Sequence, residues 1–349
     1  MVRPVDDPPP ARTLEEVAAA AGVSRSTASR VINGSPAVSP AARDAVEQTI
    51  ARTGYRPNRA ARSLVTRRTG SIGLVVSEPG GRVFSDPFFA SVVHGVTDVV
   101  RERDIQLVLV LANDDRAHRQ VLDYLRGGHL DGALLISSHA RDPLPAMLVE
   151  EGLPVALSAR PVHPLAISYV DVDSVAGAAL AVTHLVEGGR RRIATVAGPQ
   201  DMPAGQDRVT GYQEALRRHG RPADPDLVGY GDFTRSSGAR AMEQILARTT
   251  PPDGLFVASD LMALGALAVL AERGLRVPQD IAVVGFDDST AALEARPALT
   301  TVHQPVEQMA RTLTLTLLDR IANPDSPVTA RIYPPRLVIR ESSGLATVW

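Results

Sequence analysis

The 349-residue sequence predicts a small all-α head followed by an α/β core of doubly wound parallel sheets. Three observations lead to this fold class. Helix-start signals recur at short intervals before residue 55, and apolar runs of strand length alternate with helical stretches from residue 70 onward. The charge is also uneven, because residues 1–68 hold 11 arginines against 6 acidic residues and the rest hold 26 against 33. A basic head on an acidic body is typical of a DNA-binding protein.

The composition excludes several kinds of site. The chain has no cysteine, which excludes disulfides and thiolate chemistry, and all 37 basic residues are arginine, which excludes P-loop and Schiff-base lysines. The eight histidines lack the paired spacing of a metal site, and no nucleophile-elbow or dinucleotide fingerprint occurs. We therefore expect no metal, no cofactor and no catalytic residue. Without an apolar run of about 18 residues, we also expect no membrane partner. The absence of cysteine and of a secretory signal favours a cytoplasmic location.

The head begins with two helices separated by a short turn. Thr13 and Glu16 have the spacing of a capping box, and the helix that they start ends near Gly22. Ser24 is a favourable N-cap for a second helix over residues 25–33. Helix, short glycine-containing turn and helix is the plan of a DNA-reading motif, the helix-turn-helix.

The second helix carries the candidate contacts to base edges. Arg25 and Ser26 lie in its first turn, where a helix that enters the major groove presents side chains to the bases. Arginine bound to guanine through two hydrogen bonds is the commonest specific contact. A third helix over residues 39–54 completes the head. The alternative is a plain three-helix bundle with a polar surface.

The motifs of the head resemble those of the lactose/galactose repressor (LacI/GalR) family of bacterial transcriptional regulators. The resemblance covers residues 14–33, 38–39 and 54–64. It departs from the family at Ala28, where valine is usual. The resemblance implies that three side chains contact bases, namely Arg25, Ser26 and Arg30. It also implies that five contact phosphates, namely Ser24, Thr27, Ser29, Asn33 and Tyr55.

The same resemblance implies a hinge helix after the helix-turn-helix domain of residues 12–56. Asn58 can cap a short helix within the hinge and linker of residues 57–68, and a helix of this length is not stable alone. In the family it folds on the operator, where Ala61 and Leu64 would enter the minor groove. An apolar wedge such as Leu64 unstacks a base step and bends the duplex. A plain linker helix is the alternative. Residues 1–11 are expected to be a disordered arm.

The core alternates strands and helices in the way that a doubly wound parallel sheet requires. Its strands are uniformly apolar, which is typical of strands buried on both faces. The predicted strands are 72–76, 107–111, 132–136, 154–157, 193–197, 254–258 and 281–285. The predicted helices include 88–103, 117–126, 175–187, 208–219, 238–247 and 261–273.

Several core segments also match LacI/GalR positions, among them Asp86-Pro87-Phe88-Phe89 and Val284-Gly285-Phe286-Asp287-Asp288. The resemblance implies that residues 69–349 form an effector-binding and dimerisation core like the periplasmic binding proteins. The core would have two lobes, with chain crossings near residues 168, 297 and 328. The predicted N-lobe is then residues 70–168 and 298–328, and the predicted C-lobe is residues 169–297 and 329–342.

A ligand cleft is expected where the strands of the two lobes end, because doubly wound sheets bind ligands at their carboxyl ends. Three candidates follow predicted strands or apolar runs in the sequence, namely Phe233, Ser259 and Asp287. The resemblance implies that Arg208 and Asp287 bind ligand hydroxyls and that Phe233 stacks on the ligand. Asp86 and Phe88 would line the opposite lip. Asp260 is predicted to be a helix N-cap. The structural alternatives are a surface ion pair for Arg208 and a turn-capping role for Asp287.

Two departures from the family leave the ligand class open. Ser259 stands where asparagine is common, and Ala159 stands where an aspartate is often found, so a nucleoside or purine effector is an alternative to a sugar. A solute-binding protein is a further alternative, but it would lack the basic head. A glycosidase is disfavoured because Asp287 and Asp288 are adjacent and would not both face one ligand. The sequence therefore predicts a homodimeric repressor of carbohydrate uptake or catabolism genes that binds a palindromic operator under sugar control.

Overall fold

The computed structural model describes residues 13–32, 34–55, 68–248 and 250–344. The chain divides into two compact units between Thr69 and Gly70. The predicted arm, Asn33 and the predicted hinge contacts Asn58, Ala61 and Leu64 lie outside the described residues.

The head unit contains three short helices, whose bounds are α1 Leu14–Ala20, α2 Arg25–Ile32 and α3 Pro40–Thr53. The predicted capping box is present, since Thr13 and Glu16 bind each other's backbone N–H with their side chains. Ser39 caps α3, and Gly54 ends it at a φ of 64°, a left-handed conformation that favours glycine. The helices pack on a small core to which α2 contributes Ala28 and Val31. The all-α head that the sequence predicts is confirmed.

The first lobe of the core is a six-stranded parallel sheet with helices on its faces. Its strand order is β11-β5-β4-β3-β1-β2. The strands are β1 Ser71–Val76, β2 Gln106–Leu111, β3 Gly132–Ile136, β4 Val155–Ser158, β5 Ser168–Val172 and β11 Ala330–Tyr333. Its helices are α4 Gly80–Val83, α5 Pro87–Arg101, α6 Asp115–Arg126, α7 Leu144–Glu150 and α13 Val306–Ala322. Helices α5 and α13 pack closely, because a Cβ on Gly95 would overlap the carbonyl oxygen of Glu307.

The second lobe has the same plan, with strand order β12-β10-β9-β8-β6-β7. All its pairings are parallel except that of β10 with β12. The strands are β6 Ile193–Ala197, β7 Val228–Tyr230, β8 Gly254–Val257, β9 Ala282–Asp287, β10 Thr300–His303 and β12 Arg336–Val338. The helices are α8 Ser174–Glu187, α9 Pro203–Arg218, α10 Arg235–Arg248, α11 Asp260–Glu272 and α12 Thr290–Glu294. Short 3₁₀ helices cover Pro225–Leu227 and Glu341–Ser343. The two doubly wound lobes predicted from the sequence are confirmed.

The chain crosses between the lobes later than predicted. Strand β5 (168–172) belongs to the first sheet, β10 (300–303) to the second and β11 (330–333) to the first. The crossings therefore follow residues 172, 303 and 333, and the predicted positions near 168, 297 and 328 are wrong. The error has a physical source, because β5 alternates buried and half-buried positions and β11 is largely exposed. Neither strand shows the continuous apolar run that marks a central strand.

No helix within the described ranges is both long and apolar enough to cross a lipid bilayer. The longest, α13, has 17 residues and includes charged side chains among them.

Candidate ligand cleft and nucleic-acid interface

A cavity of about 790 Å³, which includes part of its open mouth, lies between the two lobes of the core. All six residues predicted to bind an effector line it, namely Asp86, Phe88, Arg208, Phe233, Ser259 and Asp287. The structure thus brings together side chains that are up to about 200 positions apart in the sequence.

The backbone is strained where the strands meet this cavity. Ser137, Ala159, Phe233 and Asp287 have φ values of 63°, 77°, 66° and 114°, in the region that favours glycine. They lie at or just after the ends of β3, β4, β7 and β9, and all four line the cavity. Each such conformation costs about 1–3 kcal/mol and persists only where the surroundings impose it. Strain of this kind clusters at binding sites.

Arg208 of α9 projects into the cavity from a buried position. One of its terminal nitrogens donates to the carbonyl oxygen of Ala258 and lies 3.7 Å from Oδ1 of Asp287. The guanidinium carbon lies 3.7 Å from the ring centroid of Phe286. Its Nε–H is buried and has no hydrogen-bond partner among the described residues. The alternative of a surface ion pair is therefore wrong, because only 5% of the side chain is exposed.

Asp287 lies beside Arg208 in the lining of the cavity. Its Oδ1 accepts a hydrogen bond of 2.6 Å from Nε2 of Gln304. Burial raises the pKa of Asp287 well above its ordinary value, and the positive charge of Arg208 opposes that rise. A carboxyl and a guanidinium in this arrangement supply an acceptor and donors for neighbouring hydroxyl groups.

Phe233 presents an aromatic face between two arginines from different lobes. The guanidinium carbons of Arg82 and Arg208 lie 5.3 and 5.6 Å from its ring centroid. The ring rests on Gly198, where a Cβ would come within 2.5 Å of the ring carbons. Glycine is therefore required beneath Phe233. Neither arginine's ring contact could be read from sequence spacing.

The start of α5 contributes Asp86 and Phe88 to the lining of the cavity from the first lobe. Asp86 caps this helix by accepting from the backbone N–H of Phe88 at 3.0 Å. Burial raises the pKa of Asp86. Phe88 lines the cavity, whereas Phe89 is buried in the core of the first lobe, against Phe88 at a ring separation of 5.3 Å.

The predicted N-cap role of Asp260 is wrong and belongs to Ser259. The hydroxyl of Ser259 accepts from the backbone N–H of Met262, which caps α11, while Ser259 also lines the cavity. Asp260 is fully buried one position further on. Its carboxylate accepts from the Thr301 hydroxyl at 2.6 Å and from Ser289 at 2.8 Å. The sequence misleads here because either residue type can cap a helix.

Several lining residues escape the sequence-based prediction. The polar ones among them include Arg82, Ser137, Ser138, Arg160, Asp171 and Gln304. Asp171 lies on β5, a strand that the apolar pattern does not reveal, and burial raises its pKa. Arg82 lies in the short helix α4 and Arg160 in the loop after β4, where a single cation is typical of a solvated surface. Their one signal is position, since both follow strands that end at the cleft.

The predicted DNA contacts in the described part of the head lie at α2, except for Tyr55, which follows α3. Ser24, Arg25, Ser26 and Arg30 are exposed, and Thr27, Ser29 and Tyr55 are half-buried. The hydroxyl of Ser24 accepts from the backbone N–H of Thr27 and thereby caps α2.

Arg25 already has a partner within the head, since its Nε lies 2.5 Å from Oε1 of Glu15 on α1. Burial raises the pKa of the Tyr55 hydroxyl.

No group of three or more His, Asp or Glu side chains is placed to hold a metal ion in the part of the chain that the structure describes.

Comparison with known proteins agrees with both halves of the structure. The family described as bacterial regulatory proteins, lacI family, matches residues 13–58, and a periplasmic binding protein-like domain matches residues 182–343. The HTH-type transcriptional regulator CelR of Thermobifida fusca is 50% identical over 332 residues, which cover 95% of this chain and 98% of that protein.

Two solved structures are similar over the same length. A complex of the transcriptional regulator CelR with cellobiose shares 48% identity at a TM-score of 0.77, and the match covers 95% of this chain and 99% of that one. The lac repressor dimer bound to operator and the anti-inducer ONPF shares 28% identity at a TM-score of 0.82, with the same coverage. The chain therefore belongs to the lacI family of bacterial regulatory proteins, and it is a DNA-binding transcriptional regulator with a ligand-binding core.

Proposed function

We propose that the chain is a repressor whose affinity for a palindromic operator is controlled by a neutral disaccharide of the cellobiose class. The observation that carries the proposal is the pairing of Arg208 and Asp287 opposite the ring of Phe233 in one buried cavity. Hydrogen-bonding forks suit vicinal hydroxyls, and an aromatic face suits the apolar face of a pyranose. The similarity to a cellobiose-bound regulator supports the same ligand class.

In this proposal Arg208 and Asp287 bind hydroxyls, Phe233 and Phe88 flank the sugar rings, and Asp86 and Ser259 add polar contacts. Arg25, Ser26 and Arg30 contact bases in the major groove. The residues assigned to phosphates are Ser24, Thr27, Ser29, Asn33 and Tyr55. Asn58 starts the hinge, from which Ala61 and Leu64 enter the minor groove.

We infer that two copies act together, since a two-fold dimer matches the two half-sites of a palindrome. Sugar binding shifts the population of lobe arrangements, and that shift changes the affinity for DNA. The cleft binds its ligand without turnover, which the regulatory role of the relatives supports. A protein with this role acts on the chromosome, in the cytoplasm.

The proposal is tested by operator binding in the presence of candidate ligands. An operator is first selected from random DNA, and its affinity is then measured by fluorescence anisotropy with cellobiose, maltose or hypoxanthine. We expect cellobiose to change the operator affinity by about tenfold or more, which is a coupling of about 1.4 kcal/mol. A response to hypoxanthine with none to either sugar would overturn the sugar assignment. Chromatography of the same mixture checks that the cellobiose stays intact.

A further inference from the structure

Two ionic contacts join the lobes at one edge of the cleft. The first lobe contributes His139 and Arg160, and the second contributes Asp201 and Asp207. We call the pairs His139–Asp201 and Arg160–Asp207 the inter-lobe clasps. Both aspartates flank the beginning of α9, the helix that carries Arg208. Neither aspartate is among the residues that line the cavity.

The Arg160–Asp207 clasp is bidentate. Nε of Arg160 donates to Oδ2 of Asp207 at 3.2 Å, and a terminal nitrogen donates to Oδ1 at 2.5 Å. The arginine is oriented from its own lobe, because its backbone N–H donates to Asp171 at 2.9 Å. The strained backbone of Ala159 precedes it. A fork of two hydrogen bonds fixes both distance and angle between the lobes.

The His139–Asp201 clasp is anchored deep in the first lobe. Nδ1 of the imidazole lies 2.9 Å from Oδ2 of Asp201, and Nε2 lies 3.2 Å from Oε1 of Glu78. Glu78 is only 4% exposed, and the same oxygen accepts from Arg82 and from Ser137. A ring with a carboxylate at each nitrogen carries a proton on both. The backbone N–H of Ala140 adds a hydrogen bond of 2.7 Å to the carbonyl of Asp201.

Building on the proposed sugar control, we propose that the inter-lobe clasps hold the cleft closed and set how fast the sugar leaves it. Any movement that parts the lobes at this edge must break both ion pairs, since each pair has one partner in each lobe. The clasps also fix the start of α9 and so place Arg208 against Asp287. They are positioning residues, because their aspartates act on the ligand only through the lobes.

The first test measures lobe separation without any ligand. The chain has no cysteine, so Glu150→Cys in α7 and Glu243→Cys in α10 give two unique, exposed labelling sites, one on each lobe. Pulsed electron-spin distances between nitroxides at these sites are compared with and without Asp201→Asn and Asp207→Asn. We expect the double Asn variant to shift the distances to longer values. The matched control is Arg126→Gln, which breaks a bidentate pair with Glu151 inside the first lobe.

The second test measures cellobiose release by surface plasmon resonance with the full-length chain. We expect Asp207→Asn to raise the dissociation rate about fivefold, the upper range for a partly exposed ion pair, and the two Asn changes together to raise it further. Arg126→Gln should leave the rate unchanged. If the distances between the nitroxides do not change, or if cellobiose is released as slowly as from the parent chain, the proposed role of the clasps is wrong. If cellobiose does not bind but the distances between the nitroxides lengthen, the proposed role of the clasps is supported and the proposed ligand class is wrong.

Discussion

Arg25 of the head contacts Glu15, and this contact bears on DNA recognition at the scale of a single residue. The two side chains are 71% and 60% exposed, so the pair is held weakly and solvent competes with it. A guanidinium that binds guanine through two hydrogen bonds must first leave this carboxylate. Glu15 therefore competes with DNA for the residue that we assign to the bases.

Replacing Glu15 by Gln should strengthen operator binding about two- to fivefold, because Arg25 no longer has to break an ion pair worth up to about 1 kcal/mol. Fluorescence anisotropy on the selected operator measures the change. Glu47→Gln on α3 is the matched control, since it removes the same charge from another exposed site of the head. Equal gains in both variants would mean that net charge, and not the release of Arg25, is responsible.

Asp287 offers a second test of a single side chain. We expect Asp287→Ala to weaken cellobiose binding by about 10- to 100-fold, because the hydrogen bonds of the carboxyl group to the ligand are lost and Arg208 loses the buried group beside it. Isothermal titration calorimetry gives the affinity, and circular dichroism checks that the core remains folded. A variant that is folded and binds with the parent affinity would contradict the assignment of Asp287.

The ionisation of His139 should make the stability of the folded chain depend on pH. Its two carboxylate partners raise its pKa from 6.5 to about 9 in the folded chain, and the largest cause is the hydrogen bond that His139 donates to Glu78. Because the pKa is raised in the folded state, the protonated imidazole contributes its full stabilisation below pH 6.5. This contribution is lost as the pH rises through 9. His139→Gln should thus lower the melting temperature at pH 6 and have a much smaller effect at pH 10. An equal loss at both values would argue against the charged imidazole.

The elements themselves show which parts of the fold a sequence reveals. Central strands such as β3 and β8 are buried along their whole length, and their apolar runs predict them nearly to the residue. Edge strands are different, since β11 is mostly exposed and carries no such run. Two of the three lobe crossings follow weakly patterned strands, β5 and β11, which is why those two predicted crossings fall too early.

The residues that line the cleft also divide into those that the sequence predicts and those that it does not. Asp287 and Ser259 follow strongly apolar strands, so their position at the cavity is predictable. Arg82 and Arg160 are not, because no local pattern marks either residue. Arg82 lies near Phe233 and Arg160 pairs with Asp207, and both of these partners belong to the other lobe. Tertiary proximity, and not local pattern, gives these arginines their place.

Helix packing gives a prediction at this scale. Gly95→Ala should destabilise the core by about 1–3 kcal/mol, because its Cβ would overlap Glu307 and lie 2.9 Å from the Cβ of Ala310. Urea denaturation measures the change in the free energy of unfolding. Gly81→Ala is the control, since a Cβ there meets no atom within 4 Å and alanine favours the helix. A loss of equal size in the control would show that close packing is not the cause.

At the scale of the whole molecule, the charge is distributed in two parts with opposite sign. The basic segment includes the head, and the core that surrounds the cleft is acidic overall. The two binding events should therefore respond differently to salt. DNA binding releases counterions from phosphates, whereas a neutral sugar exchanges none.

Raising the salt concentration from 50 to 200 mM should weaken operator binding by about 10³-fold for a dimer that neutralises six phosphates. The affinity for cellobiose should change by less than about twofold over the same range. Anisotropy and calorimetry on one preparation measure both. An equal loss of both affinities would contradict the assignment of DNA binding to the basic head and of sugar binding to the core.

The strained positions at the strand ends have a consequence for engineering. Ser137, Ala159, Phe233 and Asp287 lie at or just after the ends of four separate strands, and the lobes that carry them have helices closely packed at glycines. Libraries confined to these four positions would therefore change the lining of the cavity directly. Joined to a reporter gene, such variants would form a family of biosensors that differ in the metabolite they detect and share one promoter.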